Sequence, residues 1–339
     1  MSLSNNIQLL RKLTFKKLIN ALLVWFSYHT SKILNRKSHL GFPISMAIEP
    51  TTSCNLRCPE CPSGLRQFTR PIGMLEPTFF KKTIDEVYKE LIYLTFYFQG
   101  EPYLNPNFLE MVKYASDKGI YTSTSTNAHY LNKDQAKKTV ESKLDRLIIS
   151  IDGTTQETYE QYRIGGQLQK VIEGTKNIIE AKRELKSNIP HIIFQFLVVK
   201  PNEHQLEDVK KLANELGVDE VVFKTAQVYD FENGNPLIPE NIKYSRYKKN
   251  ADGTYSIKNK LLNQCWRMWS SCVVTWDGVV VPCCFDKDAK HQLGDLKTQL
   301  FKELWESNKY QNFRQSILKS RQEIDICKNC SEGTKVLTD

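Results

Sequence analysis

The sequence predicts an α/β fold: a partial, TIM-like (β/α)6 barrel followed by a small cysteine-rich C-terminal domain. From Pro43 to Lys224, short β-rich runs alternate with amphipathic helical stretches, a pattern that predicts a parallel sheet with helices outside it. Six such units are too few for the closed ring of eight strands, so we expect an open barrel. Parallel α/β folds bind ligands at the carboxyl ends of their strands, where the polar and cysteine-rich motifs of this chain fall.

Composition and charge restrict the class of protein. The chain has 339 residues, of which 40% are hydrophobic and 25% charged, as in ordinary soluble enzymes. Much of the net charge of +9 lies before Glu49, where lysines and arginines occur without any acid. No basic stripe runs through the remainder, so we expect no nucleic-acid partner. Nine cysteines without an export signal indicate a reducing, cytoplasmic location, where clustered thiols are metal-binding or catalytic.

The first segment, residues 1–42, predicts a basic amphipathic helix. Between Leu9 and Leu34 apolar residues recur at helical spacing with Lys or Arg on the other face. The continuous apolar run near Ala21 to Phe26 is far shorter than the roughly 18 residues of a spanning helix. Either the helix packs across the barrel, or with Trp25 and Phe26 it contacts a partner or the inner membrane face peripherally. A targeting peptide is a third interpretation, disfavoured because no small-residue cleavage site follows.

The barrel, residues 43–225, is predicted element by element. The expected strands are Ile44–Ile48, Leu94–Phe98, Tyr121–Ser125, Arg146–Ile151, Ile192–Val199 and Glu220–Lys224. The expected helices are Glu76–Glu90, where Pro77 suits a first turn, then Asn107–Asp117, Lys133–Ser142, Leu168–Lys186 and Pro201–Leu216. Residues 226–264, rich in proline, asparagine and lysine, predict a linker or substrate loop, and residues 265–339 a C-terminal domain.

Three cysteines follow the first predicted strand in the loop Cys54-Asn-Leu-Arg-Cys58-Pro-Glu-Cys61. Thiolates normally hold a 4Fe-4S cluster four at a time, so three leave one iron open to a chelating small molecule. Zinc is the main alternative, but it requires four ligands, and no fourth Cys or His lies within twenty residues after Cys61.

At these residues the chain resembles the radical S-adenosylmethionine (SAM) superfamily, whose signature is this C-x3-C-x2-C spacing after the first barrel strand. The family often has an aromatic residue where this chain has Glu60. The resemblance implies that Cys54, Cys58 and Cys61 hold a 4Fe-4S cluster and that the amino and carboxylate groups of SAM bind the open iron.

Further motifs resemble SAM contacts of that family. Gln99-Gly100-Glu101-Pro102 ends the second strand and is similar to the family's GGE-like element, with Gln99 in place of the first glycine. The resemblance implies that Gly100 and Glu101 hold the SAM amino group. It also implies contacts to the ribose or carboxylate of SAM at the ends of the third and fourth strands and just beyond, from Ser125, Asn127, Ser150, Asp152 and Arg163. An arginine can pair with a carboxylate through two hydrogen bonds, whereas a surface salt bridge is its ordinary alternative.

The C-terminal region resembles the iron-sulfur extension called SPASM, or its shortened form called twitch. An Asp277-Gly278 hairpin turn leads to Cys283, and Cys265, Cys327 and Cys330 complete a widely spaced set. The resemblance implies that these four cysteines ligate a second, auxiliary 4Fe-4S cluster. Cys272 and Cys284 are left over, since neighbours in an extended hairpin point to opposite faces. A structural zinc ribbon is the alternative.

The resemblance implies an enzyme that cleaves SAM to a 5′-deoxyadenosyl radical and abstracts hydrogen from a substrate that the sequence does not identify. Flavodoxin or ferredoxin is the expected electron donor. A net oxidation of a small molecule, sugar or lipid-linked precursor is the first hypothesis. A peptide-modifying maturase is the second, although 43 residues before the first strand are few for a peptide-recognition domain. A zinc-binding interaction protein is the alternative outside enzymes.

Overall fold

Eleven strands and thirteen α-helices make up the computed structural model, which describes residues 3–333. The strands are β1 (Ser45–Ile48), β2 (Tyr93–Thr95), β3 (Tyr121–Thr126), β4 (Arg146–Ser150), β5 (His191–Val198), β6 (Glu220–Thr225), β7 (Tyr247–Lys249), β8 (Tyr255–Ile257), β9 (Ser271–Val274), β10 (Val279–Val281) and β11 (Gly294–Asp295). Residues 1–2 of the predicted N-terminal segment and residues 334–339 of the predicted C-terminal domain lie outside the described residues.

The helices flank and follow these strands. They are α1 (Leu3–Arg11), α2 (Phe15–Leu34), α3 (Pro62–Leu65), α4 (Pro77–Val87), α5 (Phe108–Asp117), α6 (Lys133–Glu141), α7 (Gln156–Tyr162), α8 (Leu168–Glu184), α9 (Leu206–Leu216), α10 (Trp266–Ser270), α11 (Phe301–Glu306), α12 (Asn308–Ser320) and α13 (Asp325–Lys328). No described helix is long and apolar enough to cross a membrane.

The predicted α/β fold with a parallel sheet is confirmed, and the sheet extends beyond the six expected strands. Its order is β11-β10-β9-β1-β2-β3-β4-β5-β6, and β1 through β6 pair in parallel. The C-terminal strand β9 also pairs in parallel with β1, so that Ser45 lies opposite both Tyr93 and Ser271. The C-terminal hairpin is therefore part of the barrel sheet, because its first strand supplies the hydrogen-bonding partner of an otherwise exposed edge.

One strand is shorter than expected. β2 ends at Thr95 rather than Phe98, since the chain beyond Phe96 leaves the ladder and turns at Gly100, whose φ is +74°. The turn brings the backbone N–H of Glu101 to the carbonyl of Ser53, at 2.7 Å, in the loop after β1. The early end of β2 therefore joins the two loops that carry the predicted cluster and SAM motifs.

The two faces of the sheet differ in chemistry. Alternate residues such as Met46, Leu94 and Phe194 are buried against the helices in the main core. Their sequence neighbours point to the opposite, interior face of the barrel because side chains alternate along a strand.

Helices α1 and α2 cover the amino-terminal end of the barrel. Lys17 Nζ donates to the carbonyl of Gly119 at 2.6 Å, just before β3, and the Asn20 amide bonds to the backbone of Phe42. The Tyr28 ring lies 5.3 Å from Trp266 and 5.6 Å from Trp269. The N-terminal segment thus packs on the barrel at the end opposite the strand carboxyl termini.

Residues 226–264 contain more regular structure than a linker. β7 and β8 form a small antiparallel sheet, and Val228, Leu237, Ile238 and Tyr247 join Leu56 and Cys58 in one buried apolar cluster. This covering segment closes the carboxyl end of the barrel above the first cysteine loop.

Candidate functional site

The three cysteines of the first loop border one buried apolar cluster. Cys58 is buried, whereas Cys54 and Cys61 are partly exposed. Burial raises the pKa of the Cys54 thiol to about 12, with Glu101, Cys58 and Cys61 acting in the same direction. The three cysteines pack against the covering segment's apolar cluster. A triad of thiols in a largely apolar, covered loop fits a cluster that has one iron left for a small molecule.

Gly100 allows the loop after β2 to lie against the cysteine loop. A Cβ atom at this position would lie 2.2 Å from the Thr51 carbonyl oxygen and 2.8 Å from that of Ser53. Its φ of +74° also favours glycine. The Gly100 N–H donates to Ser63 Oγ at 2.9 Å, just after Cys61. Only glycine fits here, which gives the Gly100-Glu101 motif a physical reason.

Glu101 is a buried carboxylate that binds the end of β3. It accepts hydrogen bonds from Thr126 Oγ1 at 2.7 Å and from the backbone N–H of Asn127 at 2.8 Å. Burial nevertheless raises its pKa to about 7. The Asn127 amide in turn donates to Asn55 Oδ1 at 2.8 Å. These bonds hold the ends of β2 and β3 beside the cysteine loop, where a SAM molecule is predicted.

The predicted contacts at the end of β4 form a second group. Ser150 Oγ lies 3.4 Å from Ser125 Oγ, and Arg163 Nε donates to the fully buried Asp152 at 2.5 Å. Arg163 Nη1 also points at Cys58 Sγ, 3.7 Å away. Arg163, whose side chain is 16% exposed, is therefore a largely enclosed ion-pair partner that directs an N–H at a predicted cluster ligand, and not the surface salt bridge of the ordinary alternative.

Glu60, which stands where related loops often have an aromatic residue, connects the cysteine loop to its cover. Its carboxylate accepts the backbone N–H of Tyr229 at 3.0 Å. The Tyr229 hydroxyl receives a 2.8 Å hydrogen bond from Lys287 in the C-terminal region. The unusual residue therefore holds together three parts of the chain.

The second cysteine set lines one small cavity of about 20 Å³, whose wall includes Cys265, Cys283, Cys327 and Cys330. These are the four cysteines assigned to the auxiliary cluster. Among residues 3–333 no three Cys, His, Asp or Glu side chains are placed to hold a single ion. Four thiols on the wall of one cavity are instead the ligand number of a 4Fe-4S cluster.

Arg321 supplies an independent test of fit. It is 1% exposed, and its Nη2 donates to Cys330 Sγ at 3.1 Å. No carboxylate within residues 3–333 forms a salt bridge with it, and its Nε lacks a hydrogen-bond partner there. Because a buried charge requires a counter-charge, the guanidinium fits a cavity that holds anionic thiolates.

The two remaining cysteines take separate positions. Cys272 is 1% exposed in the core, on β9 opposite Met46. Cys284 packs with Phe98 and Val273 on the interior face of the barrel. Neither lines the auxiliary cavity described above.

Asn329, between Cys327 and Cys330, connects the auxiliary site to the covering segment. Its amide donates to the Val228 carbonyl at 2.7 Å, and its side-chain oxygen accepts the Tyr247 hydroxyl at 2.9 Å. Sequence reasoning missed Asn329, Arg321 and Asn55, because their roles depend on contacts between distant segments. Of these three residues, only Asn329 could have been noticed in the sequence, because it lies between two predicted ligand cysteines.

Two family models match the chain. The Radical SAM superfamily covers residues 48–216, and an iron-sulfur cluster-binding domain, SPASM, covers residues 265–331. The two matches include all seven cysteines that were predicted to be metal ligands.

Several curated proteins are similar over most of the chain. The tungsten-containing aldehyde ferredoxin oxidoreductase cofactor-modifying protein of Pyrococcus furiosus is 24% identical, covering 84% of this chain and 86% of its own length. The AdoMet-dependent heme synthase of Methanosarcina barkeri is 26% identical, covering 78% and 82%. The PqqA peptide cyclase of Bradyrhizobium diazoefficiens is 25% identical, covering 59% and 51%.

A solved structure has the same fold. Streptococcus suis SuiB bound to S-adenosylmethionine superposes with a TM-score of 0.62 at 14% identity, covering 90% of this chain and 76% of that one.

Proposed function

Because the chain belongs to the radical SAM superfamily and carries a C-terminal SPASM domain, we propose that it oxidises a small molecule by radical chemistry. The proposed reaction cleaves SAM to methionine and a 5′-deoxyadenosyl radical, which then abstracts a hydrogen atom from a substrate C–H bond. The observation that supports it most is the close packing of the three-cysteine loop against Gly100 and Glu101 at the carboxyl ends of β1 and β2.

The family's cofactors are SAM, a 4Fe-4S cluster that binds SAM, and auxiliary iron-sulfur clusters held by the SPASM domain. Cys54, Cys58 and Cys61 would hold the first cluster, which when bound supplies the electron that splits SAM. Arg163, directed at Cys58, would offset the negative charge of that ligand set. The covering segment, closed over Cys58 by apolar contacts, would keep water and stray hydrogen donors from the radical.

The preference for a small molecule rests on the relatives. Those similar over about four fifths of this chain are named for cofactor modification and heme synthesis, whereas the peptide cyclase match spans 51% of that protein. Peptide modification is the second candidate, favoured by that cyclase. A sugar or a lipid-linked precursor is a more specific proposal for the small-molecule substrate.

Electron transfer is the remaining part of the proposal. Flavodoxin or ferredoxin would reduce the first cluster. Cys265, Cys283, Cys327 and Cys330 would hold the auxiliary cluster, which is proposed to accept the electron left on the substrate. The hydrogen bonds of Asn329 to the covering segment support a fixed separation between the two sites.

The decisive experiment is anaerobic reconstitution with iron and sulfide. We expect about eight iron atoms per chain, as two 4Fe-4S clusters require, and formation of 5′-deoxyadenosine from SAM with dithionite. Cys58→Ala should abolish that formation, whereas Cys272→Ala, which changes a core cysteine outside both ligand sets, should retain it. Zinc without sulfide, or undiminished activity of Cys58→Ala, would reject the proposal and favour a zinc-binding interaction protein.

We also propose that α2 rests on an anionic membrane surface, with the enzyme otherwise cytoplasmic. The helix is inverted relative to an ordinary surface helix. Its buried side includes Asn20, Ser27 and Ser31. Its outer side exposes large apolar groups: Phe15 by 79%, Leu22 by 66% and Phe26 by 55%.

Charge favours a lipid surface as the occupant of this face. Successive residues of an α-helix are rotated by about 100°, so Lys16 and Lys32 lie on the two flanks of the exposed apolar stripe. The first 48 residues contain no acid. An apolar stripe edged by lysines and carrying Trp25, which is 46% exposed, matches the pattern of helices that lie in the interface plane.

Vesicle sedimentation tests this contact. The reconstituted protein should bind vesicles containing phosphatidylglycerol more tightly than pure phosphatidylcholine, and salt should weaken binding. Leu22→Ser combined with Phe26→Ser should reduce binding about tenfold or more. Ile242→Ser is the matched control, since it removes a large apolar side chain that is also highly exposed (75%) but lies in the covering segment, away from α2. Equal binding by the two variants, or dimerisation through this face instead, would contradict the proposal.

A further inference from the structure

Parallel barrels are ordinarily filled with branched apolar side chains. Here the barrel interior has an apolar part, around Phe98, Val273 and Val281, and a polar part along β1 to β5. Residues of the polar part alternate with the helix-facing core residues of the same strands. They include Ser45 on β1, Tyr93 and Thr95 on β2, Ser123 and Ser125 on β3, Arg146 and Ser150 on β4, and Gln195 on β5. All but Ser123 and Ser150 are partly exposed although they lie inside the sheet, so water can reach this part of the interior.

Arg146 is a cationic side chain of this polar part. It lies at the start of β4, opposite Ser123 on β3 and His191 on β5. Its Nε is buried and has no hydrogen-bond partner within residues 3–333, and the same holds for the neighbouring Ser123 Oγ. The nearby acid Glu220 bonds instead to His191 at 3.2 Å. Two adjacent donors without acceptors, one of them cationic, are suited to an anionic ligand.

Tyr97 provides a third donor above them. Its side chain is 38% exposed, yet burial raises the pKa of its phenol above the ordinary range, with Arg146 and Arg267 acting in the opposite sense. A phenol that keeps this exposure can donate a hydrogen bond to a bound molecule. Arg267, which pairs with Glu332 at 3.0 Å, and Cys284 are its neighbours on the side of the C-terminal domain.

We propose that this interior binds a substrate bearing a carboxylate or phosphate group, which lies against the Arg146 guanidinium and accepts hydrogen bonds from Ser123 and Tyr97. The inference deepens the proposed function, because it assigns the substrate class of the same barrel. The anion would fix the substrate deep in the barrel, with its remainder extending toward the SAM site at the carboxyl ends of the strands.

Calorimetric titration of the anaerobically reconstituted, SAM-loaded protein with inorganic phosphate and, separately, with acetate tests the proposal. We expect saturable binding of at least one anion and a loss of affinity of tenfold or more in Arg146→Gln. Arg146→Lys should keep part of the affinity, because it retains the charge but not the fork. Arg183→Gln is the matched control, since it removes a 79% exposed arginine from the outer helix α8. Saturation by phosphate alone would assign a phosphate-bearing substrate, and saturation by acetate alone a carboxylate.

Formation of 5′-deoxyadenosine with dithionite is measured in parallel, because it reports the radical machinery independently of the anion. Arg146→Gln should retain this formation. Wild-type protein that cleaves SAM but binds neither anion, or equal anion affinity in Arg146→Gln and wild type, would overturn the anion site and leave the proposed function standing. Absence of SAM cleavage in the wild type would reject the proposed function instead.

Discussion

Single residues at the carboxyl ends of the strands determine whether the cysteine loop can take its shape. Gly100 lies in van der Waals conflict with any Cβ, because the Thr51 carbonyl oxygen is 2.2 Å from where that atom would be. Backbone atoms cannot move aside as a flexible side chain can. The glycine therefore fixes the distance between the predicted cluster and SAM loops.

Gly100→Ala should separate these loops and abolish 5′-deoxyadenosine formation. Gly119→Ala is the matched control: its φ is +75°, but nothing lies within 4 Å of its added Cβ. Both variants incur about 1–2 kcal/mol for a left-handed residue, so any excess loss in Gly100→Ala reports the clash. Thermal midpoint, iron content and SAM cleavage are the measurements, and equal behaviour of the two variants would contradict this reading of Gly100.

Residue identities in the site were largely predictable, whereas their partners were not. The spacing of Cys54, Cys58 and Cys61 after a β-rich run is local information, and so is glycine followed by an acid at a strand end. Arg163 was expected at the SAM carboxylate, and the structure directs it to Asp152 and Cys58. Its position remains compatible with a SAM contact, which stays a prediction. No pattern in the neighbouring sequence marks Arg321 as a site residue, because an arginine requires a negatively charged partner only when the fold buries it.

At the scale of elements, the N-terminal helices join the barrel to the C-terminal region. Just after α2, the Ser38 carbonyl accepts the Trp269 indole N–H at 3.0 Å. The His39 ring lies 3.1 Å from the Trp269 carbonyl and edge-on to Trp305, with ring centroids 5.0 Å apart. Burial, with Arg314 nearby, lowers the pKa of His39 to about 3. A neutral imidazole is therefore part of this junction.

The stability of this junction should depend on pH. An unfolded imidazole titrates near pH 6.5, so between that value and about 3 the unfolded chain binds a proton that the folded chain does not. The free energy of unfolding should therefore fall as the pH drops below 6.5, by at most about 1.4 kcal/mol per pH unit. His39→Gln should flatten the difference in thermal midpoint between pH 7.5 and 5.5. The exposed His204→Gln should leave it unchanged, and a wild-type slope in His39→Gln would count against this assignment.

The sequence predicts which segments are helices and which are strands, but it does not always predict which side of an element faces the protein. The six barrel strands and five helices occur where alternation and helical spacing predict them, with boundaries differing by a few residues. α2 was expected to be amphipathic, and it is, but with its polar side facing the protein. Hydrophobic periodicity identifies the apolar face of a helix but does not tell whether that face packs on the protein or is exposed. The buried polar side of α2 is stabilised by Phe42 and Gly119, which lie outside the helix, so the sequence of the helix alone does not reveal its orientation.

At the scale of the whole molecule, the main departure from the sequence prediction is the continuous sheet. β9 was expected within a separate domain, since a hairpin at Asp277-Gly278 is all that local patterns reveal. Pairing of β9 with β1 brings together segments near opposite ends of the chain, which no local pattern encodes. The C-terminal domain therefore supplies part of the barrel as well as the auxiliary cysteines.

Removal of the C-terminal region should consequently disrupt the barrel itself. A chain ending at residue 264 would expose the β1 edge and the core surfaces that β9, Trp269 and Trp305 cover. We expect it to be insoluble or to lack a cooperative thermal transition by circular dichroism. The double variant Cys327→Ala/Cys330→Ala, which removes ligands but keeps β9, should instead remain folded and lose about half of its iron. A soluble, cooperatively folding 1–264 chain would show that the sheet is not one unit.

The pairing of β9 with β1 also has a consequence for biosynthesis. During translation β1 leaves the ribosome early, but its second neighbour is made only after the rest of the barrel. Until then the strand presents an open edge, the kind of surface on which nascent chains aggregate. We therefore expect the loop that begins six residues after β1 to reach its final geometry only after β9 has been made, and insertion of iron and sulfide to follow that pairing.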